Sequence, residues 1–431
     1  MSANPETASS PPPGASYEQR LRNAIMTAAP LLDSRTVPLS ARSAALDHAL
    51  AAGLPHRRDD LWRYADLRYL DTVPLGPVAR TGTATQSPGL PARLAGFTRL
   101  VMLNGRMSPD LSDPCPALAR ESTPLVPART RHERFGWLND AFAMDVARLV
   151  VEGSALIEVV FVSTPEAIPQ AAHPRLEVSL RDNADLVLVE RHTGSLGAES
   201  LINTAVQVHG AAGSRCQHLR WQSLAPEAQL LDTLQVAIDR DARYSLALLQ
   251  LGSRSTRSSV RVSLYGRGAQ ATICGVSVAD ARRTIDTSLL VDHIGVDTTS
   301  SQVLRALARD RAHLAWRSRV EVTSAARGSG CDQSLKGLLD NVGAEIDLRP
   351  QLEIHTDAVR ASHGATTGAL DQNMLFYLLS RGLDADTARG LLEWAFCEDA
   401  VRHIDQPLLR REVELALADC LGNRVAREAL Q

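Results

Sequence analysis

From about residue 155 to about residue 355 the chain is a succession of short β-rich runs with no helical pattern of useful length between them. The runs include Ala155 to Val162, Arg175 to Leu180, Leu186 to Glu190, Asn203 to Val208 and Gln217 to Trp221, with Gly, Asp, Asn and Ser between them. They continue through Leu231 to Ile238, Tyr244 to Leu249, Ser259 to Leu264 and Ala271 to Val276. A doubly wound sheet needs crossover helices between its parallel strands, so this region excludes one. A sandwich, a barrel, a propeller or a β-helix remains, and strand spacing alone does not separate them. Uneven repeats without a blade signature favour the β-helix.

The flanks read as helical. Before the β-rich region, Leu21, Ile25 and Met26, then Ala44, Leu46, Ala49 and Leu50, have the spacing of helix faces, and Leu54-Pro55 ends the second helix. Trp62 is expected to anchor this module. The run Thr98 to Leu103 predicts a strand entering a tight turn at Asn104-Gly105. After the β-rich region, Asp371 can cap a helix through Ser380 that Gly382 ends, and Asp384 can cap a second with Ala388, Leu391, Leu392, Ala395 and Phe396 as its stripe. Pro407 opens a third, lined by Leu409, Val413, Leu417 and Leu421 before Gly422.

Composition narrows the function classes. A formal net charge of -3 with interspersed signs offers no field for nucleic acid or an anionic membrane. The longest apolar runs are too short to span a bilayer. Residues 1–16 read as a disordered tail without the basic start and apolar stretch of a secretion signal, which suggests a cytoplasmic protein. Six scattered cysteines suit buried thiols better than a disulfide framework. Lys336 is the only lysine, and Gly337 follows it where a phosphate-binding loop needs Ser or Thr, so the chain does not read as an ATPase.

Among chemistry-bearing residues His363 stands out, because an imidazole can ligate iron or relay protons and Gly364, in an expected turn, lets backbone approach closely. Cys216 and His218 share one face of an expected strand, yet two ligands are too few for a closed zinc site. Packing roles are expected for His293 and Gln302. Gly266-Arg-Gly268 partly matches a dinucleotide fingerprint but precedes a strand where that motif needs a helix, so it reads as a turn between coils.

The stretch Pro350-Gln-Leu-Glu-Ile354, then Ser362-His-Gly-Ala-Thr-Thr-Gly368 and Phe376-Tyr-Leu-Leu-Ser-Arg-Gly382, resembles the SufB/SufD family of iron-sulfur cluster assembly scaffolds. Trp62-Arg-Tyr64 and Leu138-Asn-Asp-Ala-Phe142 are similar to further family signatures. Ser-His-Gly points to the SufD branch. Ala361 stands where the family usually has cysteine.

The resemblance implies a mainly β protein with a right-handed parallel β-helix core over 151–370. Helical domains over 17–150, with a short strand element, and over 371–431 would flank it and close its ends. It further implies a non-catalytic scaffold that pairs with a SufB-like paralogue and docks a SufC-like ABC-type ATPase in the neighbourhood of Arg381, Gly382 and Phe396. His363 would face the partner, as a candidate metal ligand, where a transient iron-sulfur cluster is built. No cofactor is expected to stay bound to the chain alone, and self-pairing is left open for the isolated chain. Two alternatives stand beside this reading: a β-helix carbohydrate-active enzyme, and a SufB-like scaffold that binds the cluster itself.

Overall fold

From Arg175–Leu180 onward, consecutive strands of this protein do not pair with each other; each pairs, in parallel, with the strand after next. Thus Arg215–Ser223 lies between Asp185–Gly194 and Arg243–Gln250, while Gln229–Ile238 lies between Leu201–Gly210 and Ser255–Leu264. The result, in a computed structural model describing residues 16–32, 37–55, 58–65, 67–71, 73–77, 89–119, 133–164, 171–194 and 201–430, is a two-sided parallel β-solenoid. Its walls are a ten-stranded sheet ending in Val359–Ala369 and a nine-stranded sheet ending in Glu345–Ile354. The strand Thr98–Leu103 already belongs to the first wall, parallel to Ser154–Ser163, and its Asn104-Gly105 turn, at φ 49° and 80°, leads into a short antiparallel partner. Residues 1–15 of the expected tail lie outside the described residues. Ser16 instead caps the first helix, Tyr17–Ala28, in a reciprocal capping box with Gln19.

One corner of the solenoid repeats from coil to coil. Asn183, Gly213, Asp241, Gly268, Asp297 and Gly328 occupy it in turn, all with positive φ, and each amide donates to a carbonyl of the coil above, as Asp241 does to Arg267 at 2.9 Å. Residues with side chains alternate with glycines because each Asn or Asp carboxyl or amide leans over the next coil's corner. A Cβ added at Gly268 would lie 2.6 Å from Oδ1 of Asp241. This alternation explains the Gly, Asp and Asn punctuation between strands. Gly266-Arg-Gly268 is one of these corners, as expected, and Gln270–Ala279 follows as a strand.

Strand residues alternate between the two sides of each wall. Leu246 and Leu248 point into the solenoid with Val236, Val262, Leu289 and Trp316, while Ala247 and Leu249 point outward under Cys397, Val401 and Leu417. Where the C-terminal helices lie on it, the ten-stranded wall is buried on both sides, and a strand such as Arg243–Gln250 carries the apolar run Leu246-Ala-Leu-Leu249.

The helical modules cover faces, where closed ends were expected. The N-terminal helices lie on the outer side of the nine-stranded wall, with Phe135, Leu138 and Phe142 meeting Leu201 and Leu231. Trp62, 2% exposed, anchors them under the guanidinium of Arg257 at 4.3 Å from its ring. The C-terminal helices lie on the opposite wall. A helix buries its stripe best against a ladder of Val and Leu, and the sheet faces offer that whereas the coil ends offer backbone edges.

Several finer expectations change. Met26 is 75% exposed and Ala44 is exposed, whereas Arg20 and Arg42 turn inward to bond carbonyls of Val73 and Ala141. In the helix Ala385–Val401 the buried residues are Ala388, Gly390, Glu393, Cys397, Ala400 and Val401. Ala395 is exposed; the face is rotated because Glu393 reaches Arg309 of the solenoid wall. A fourth C-terminal helix, Arg424–Leu430, follows the three expected. No described helix is long and apolar enough to cross a membrane.

Candidate functional site

The open C-terminal end of the solenoid gathers the residues of interest. His363-Gly364 forms no turn: it lies in mid-strand within Val359–Ala369, whose residues from Arg360 onward are all exposed. Among the described residues the strand has one neighbour, Ser329–Leu339, and its other edge is unpaired. A Cβ added at Gly364 or Gly368 would meet nothing within 4 Å. The two glycines therefore leave the outer face of this strand low, and no described residue uses the space.

Register fixes where His363 points. It stands opposite Gln333, which stands opposite Gln302, and registered residues of parallel strands share one face. Gln302 and Gln333 are buried inside the solenoid, where both bond the Ser318 hydroxyl from the opposite wall; Gln333 Nε2 donates to it at 2.8 Å. His363 is thus the outermost member of an inward column. The adjacent inward column runs Ser300, Cys331, Ala361. A cysteine at 361 would stand beside His363. With Ala361 in place, the thiol in this column is that of Cys331, one coil deeper and pushed up in pKa by burial.

Further inside, beyond the apolar Ile273 and Leu246 of the same column, His218 belongs to an ionic cluster. Glu190 accepts from Arg220 at 2.9 Å and faces His218 Nε2 at 2.7 Å, while Arg220 grips both oxygens of Asp232. Burial pushes the Glu190 carboxyl up, but Arg220 and His218 more than reverse this and hold it well below the usual range. Tyr244 OH lies 2.7 Å from the other His218 nitrogen, so both ring nitrogens are engaged. Cys216 shares the inward face as expected, but burial pushes its thiol well up, and the pair functions as core. His293 likewise lies between the hydroxyls of Thr298 and Ser300 at 2.8 Å each, with burial lowering its pKa to about 4.

The expected docking residues divide. Gly382, at φ 92°, ends the helix Gln372–Ser380, and Arg381 lies 5.1 Å over the Tyr377 ring. Phe396 is half-buried against the outer face of the ten-stranded wall. None of the described residues in Gln372–Ser380 is buried, and Met374, Phe376 and Tyr377 are 56%, 72% and 55% exposed. Phe376 and Tyr377 belong to the motif read from the sequence, but none of the three was expected as a docking residue. The signal was present, because a helix apolar on all sides requires burial against something.

Residues 160–396 match the family model described as SUF system FeS cluster assembly, SufBD core domain. The chain is similar to an iron-sulfur cluster assembly SufBD family protein of Synechocystis, 26% identical over 400 residues, covering 86% of this chain and 88% of the relative. It is also similar to the iron-sulfur cluster assembly protein SufD of Escherichia coli, 24% identical over 380 residues covering 85% and 89%. A SufBD family protein of Mycobacterium bovis is 28% identical over 377 residues, covering 84% and 88%.

Proposed function

The chain belongs to the SufB/SufD family of iron-sulfur cluster assembly proteins, and from that membership we propose that it is the SufD-like, non-catalytic scaffold subunit of an assembly complex, pairing at its open end with a SufB-like paralogue. One observation carries this reading: the exposed strand Val359–Ala369, low in side chains and bearing His363. An unpaired strand of this length is a template for another chain, and a paralogue with the same solenoid could continue the ten-stranded wall across the junction.

In such a pair His363 would face the partner's interior. The growing cluster is cargo there, and with Ala361 offering no thiolate the sulfur ligands would come from the paralogue. A SufC-like ATPase would dock on the exposed helix Gln372–Ser380 with Arg381 and Gly382, and its ATP-driven motion would strain the junction. The free cysteines of the described chain suit a reducing compartment, and the cytoplasm is the proposed location.

Co-expression with the SufB-like and SufC-like proteins of the same host, followed by affinity purification and mass determination, tests the reading. One SufB-like chain, one copy of this chain and two ATPases are expected. Recovery of this chain alone while the other two co-purify would overturn it.

A further inference from the structure

We propose that His313, Glu345 and Asp347 form a binding site for a divalent transition-metal ion on the outer face of the nine-stranded wall, a site that does not depend on the scaffold role above.

The three residues come from the last two strands of that wall. His313 opens His313–Val322, and its register partner is Glu345, the first residue of Glu345–Ile354; Asp347 follows two positions along and therefore on the same face. One ligand atom from each lies within 4.8 Å of the others. His313 Nε2 is 2.8 Å from Asp347 Oδ2. Ligands about 2.1 Å from a metal, on adjacent corners of an octahedron, lie about 3 Å apart, so an ion could replace the proton that the pair now shares. The imidazole is already oriented, since the Tyr64 ring meets it edge-on at 5.8 Å and 88°.

The far ends of the same two strands, with His355 just past the second, form another cluster of like composition, and the contrast between the two carries the assignment. Glu321, Glu353 and His355 also converge. There, however, Arg319 sits between the carboxylates, 2.7 Å from Glu321 and 3.0 Å from Glu353, and supplies the compensating charge. At Glu345 and Asp347 no described arginine or lysine does so, and the only ion-pair partner of Asp347 among the described residues is His313. Two carboxylates fixed on one face of an edge strand, with an oriented imidazole and no built-in cation, form a donor set for an added one. His313 and Asp347 are 25% and 29% exposed in their side chains and Glu345 is exposed, which leaves a path for the ion and room for water to complete its coordination.

One nitrogen and two carboxylates with open positions suit Mn2+ or Fe2+, whereas thiolate-seeking Cu(I) or an iron-sulfur cluster would find no sulfur here. The probe is Mn2+, added anaerobically to the full metal-free chain and followed by electron paramagnetic resonance of free against bound ion. One equivalent bound by the wild type is expected, weakened at least tenfold by Asp347→Asn and by Glu345→Gln, two replacements that conserve shape at exposed or half-exposed positions. His363→Ala and Glu353→Gln should bind as wild type. Absence of a bound equivalent in the wild type would overturn the assignment, as would unchanged binding in the first two variants or loss of binding in Glu353→Gln.

Discussion

Glu190 and Arg220 face each other from neighbouring coils inside the solenoid, 2.9 Å apart, with side chains 0% and 4% exposed. A buried pair of this kind adds little over a well-packed apolar pair, but losing one member strands the other's charge in a low dielectric. Arg220→Ala should therefore destabilise the protein by about 3–5 kcal/mol. Arg220→Lys should fall between, because an ammonium cannot bond Glu190 while gripping both oxygens of Asp232. Urea unfolding of both variants checks the order.

Burial lowers the pKa of His173 and His293 from 6.5 to about 4, and that of His218 and His403 in the same direction. A lowered folded-state pKa means that the unfolded chain binds more protons between those values, so stability falls as the pH drops from about 6.5 towards 4 and levels below that. His173 and His293 each contribute up to about 3 kcal/mol of this loss. Unfolding free energies measured across the window should slope accordingly, and the slope should become shallower in the double variant His173→Gln, His293→Gln. An unchanged slope would assign the pH dependence elsewhere.

Glycine substitutions should separate folding from assembly. At Gly268, with φ 72° and Asp241 Oδ1 leaning over it, Ala should cost about 1–2 kcal/mol or more. Gly364→Ala, into open space, should leave the melting temperature unchanged and weaken co-purification with a SufB-like partner instead. A lower melting temperature for Gly364→Ala would mean that the chain itself uses the space.

Ala361→Cys should place a reactive thiol beside His363 at no cost in stability, since Ala361 lies on the exposed strand. Under native conditions that thiol should react with a maleimide well before the buried Cys331, as mass spectrometry of labelled peptides would read. Labelling of Cys331 at a comparable rate would contradict the column geometry.

Phe376→Ser should change stability by less than about 0.5 kcal/mol, because the side chain is 72% exposed, while abolishing ATPase co-purification. Retained co-purification would move the docking surface elsewhere.

The strands were legible in the sequence because their signals are local, whereas their spacing left a sandwich, barrel, propeller or β-helix open and the resemblance to a family chose the β-helix. Short β-rich runs with Gly, Asp, Asn and Ser between them mark many of the strands, and Asp371, Asp384 and Gly382 mark helix ends. The faces that helices present were less legible. Glu393 reads as a solvent-facing residue until Arg309 is known to lie opposite, and Ala395 reads as core until that pairing rotates the helix. His363 was found through a motif, yet its position in a strand rather than a turn depends on Ser329–Leu339 beside it, a neighbour thirty residues away along the chain. The His313, Glu345 and Asp347 cluster had no local signature at all. Its members meet only because register places His313 opposite Glu345.

The unbroken corner of Asn, Asp and Gly makes the protein a one-dimensional array, in which a coil rests only on the coils before and after it. The terminal coil has a neighbour on one side alone, so fraying is cheapest there and amide exchange should be fastest in Val359–Ala369. A bound paralogue would turn that last coil into an interior one, and joining two such arrays would slow exchange on both sides of the junction before any cluster is made.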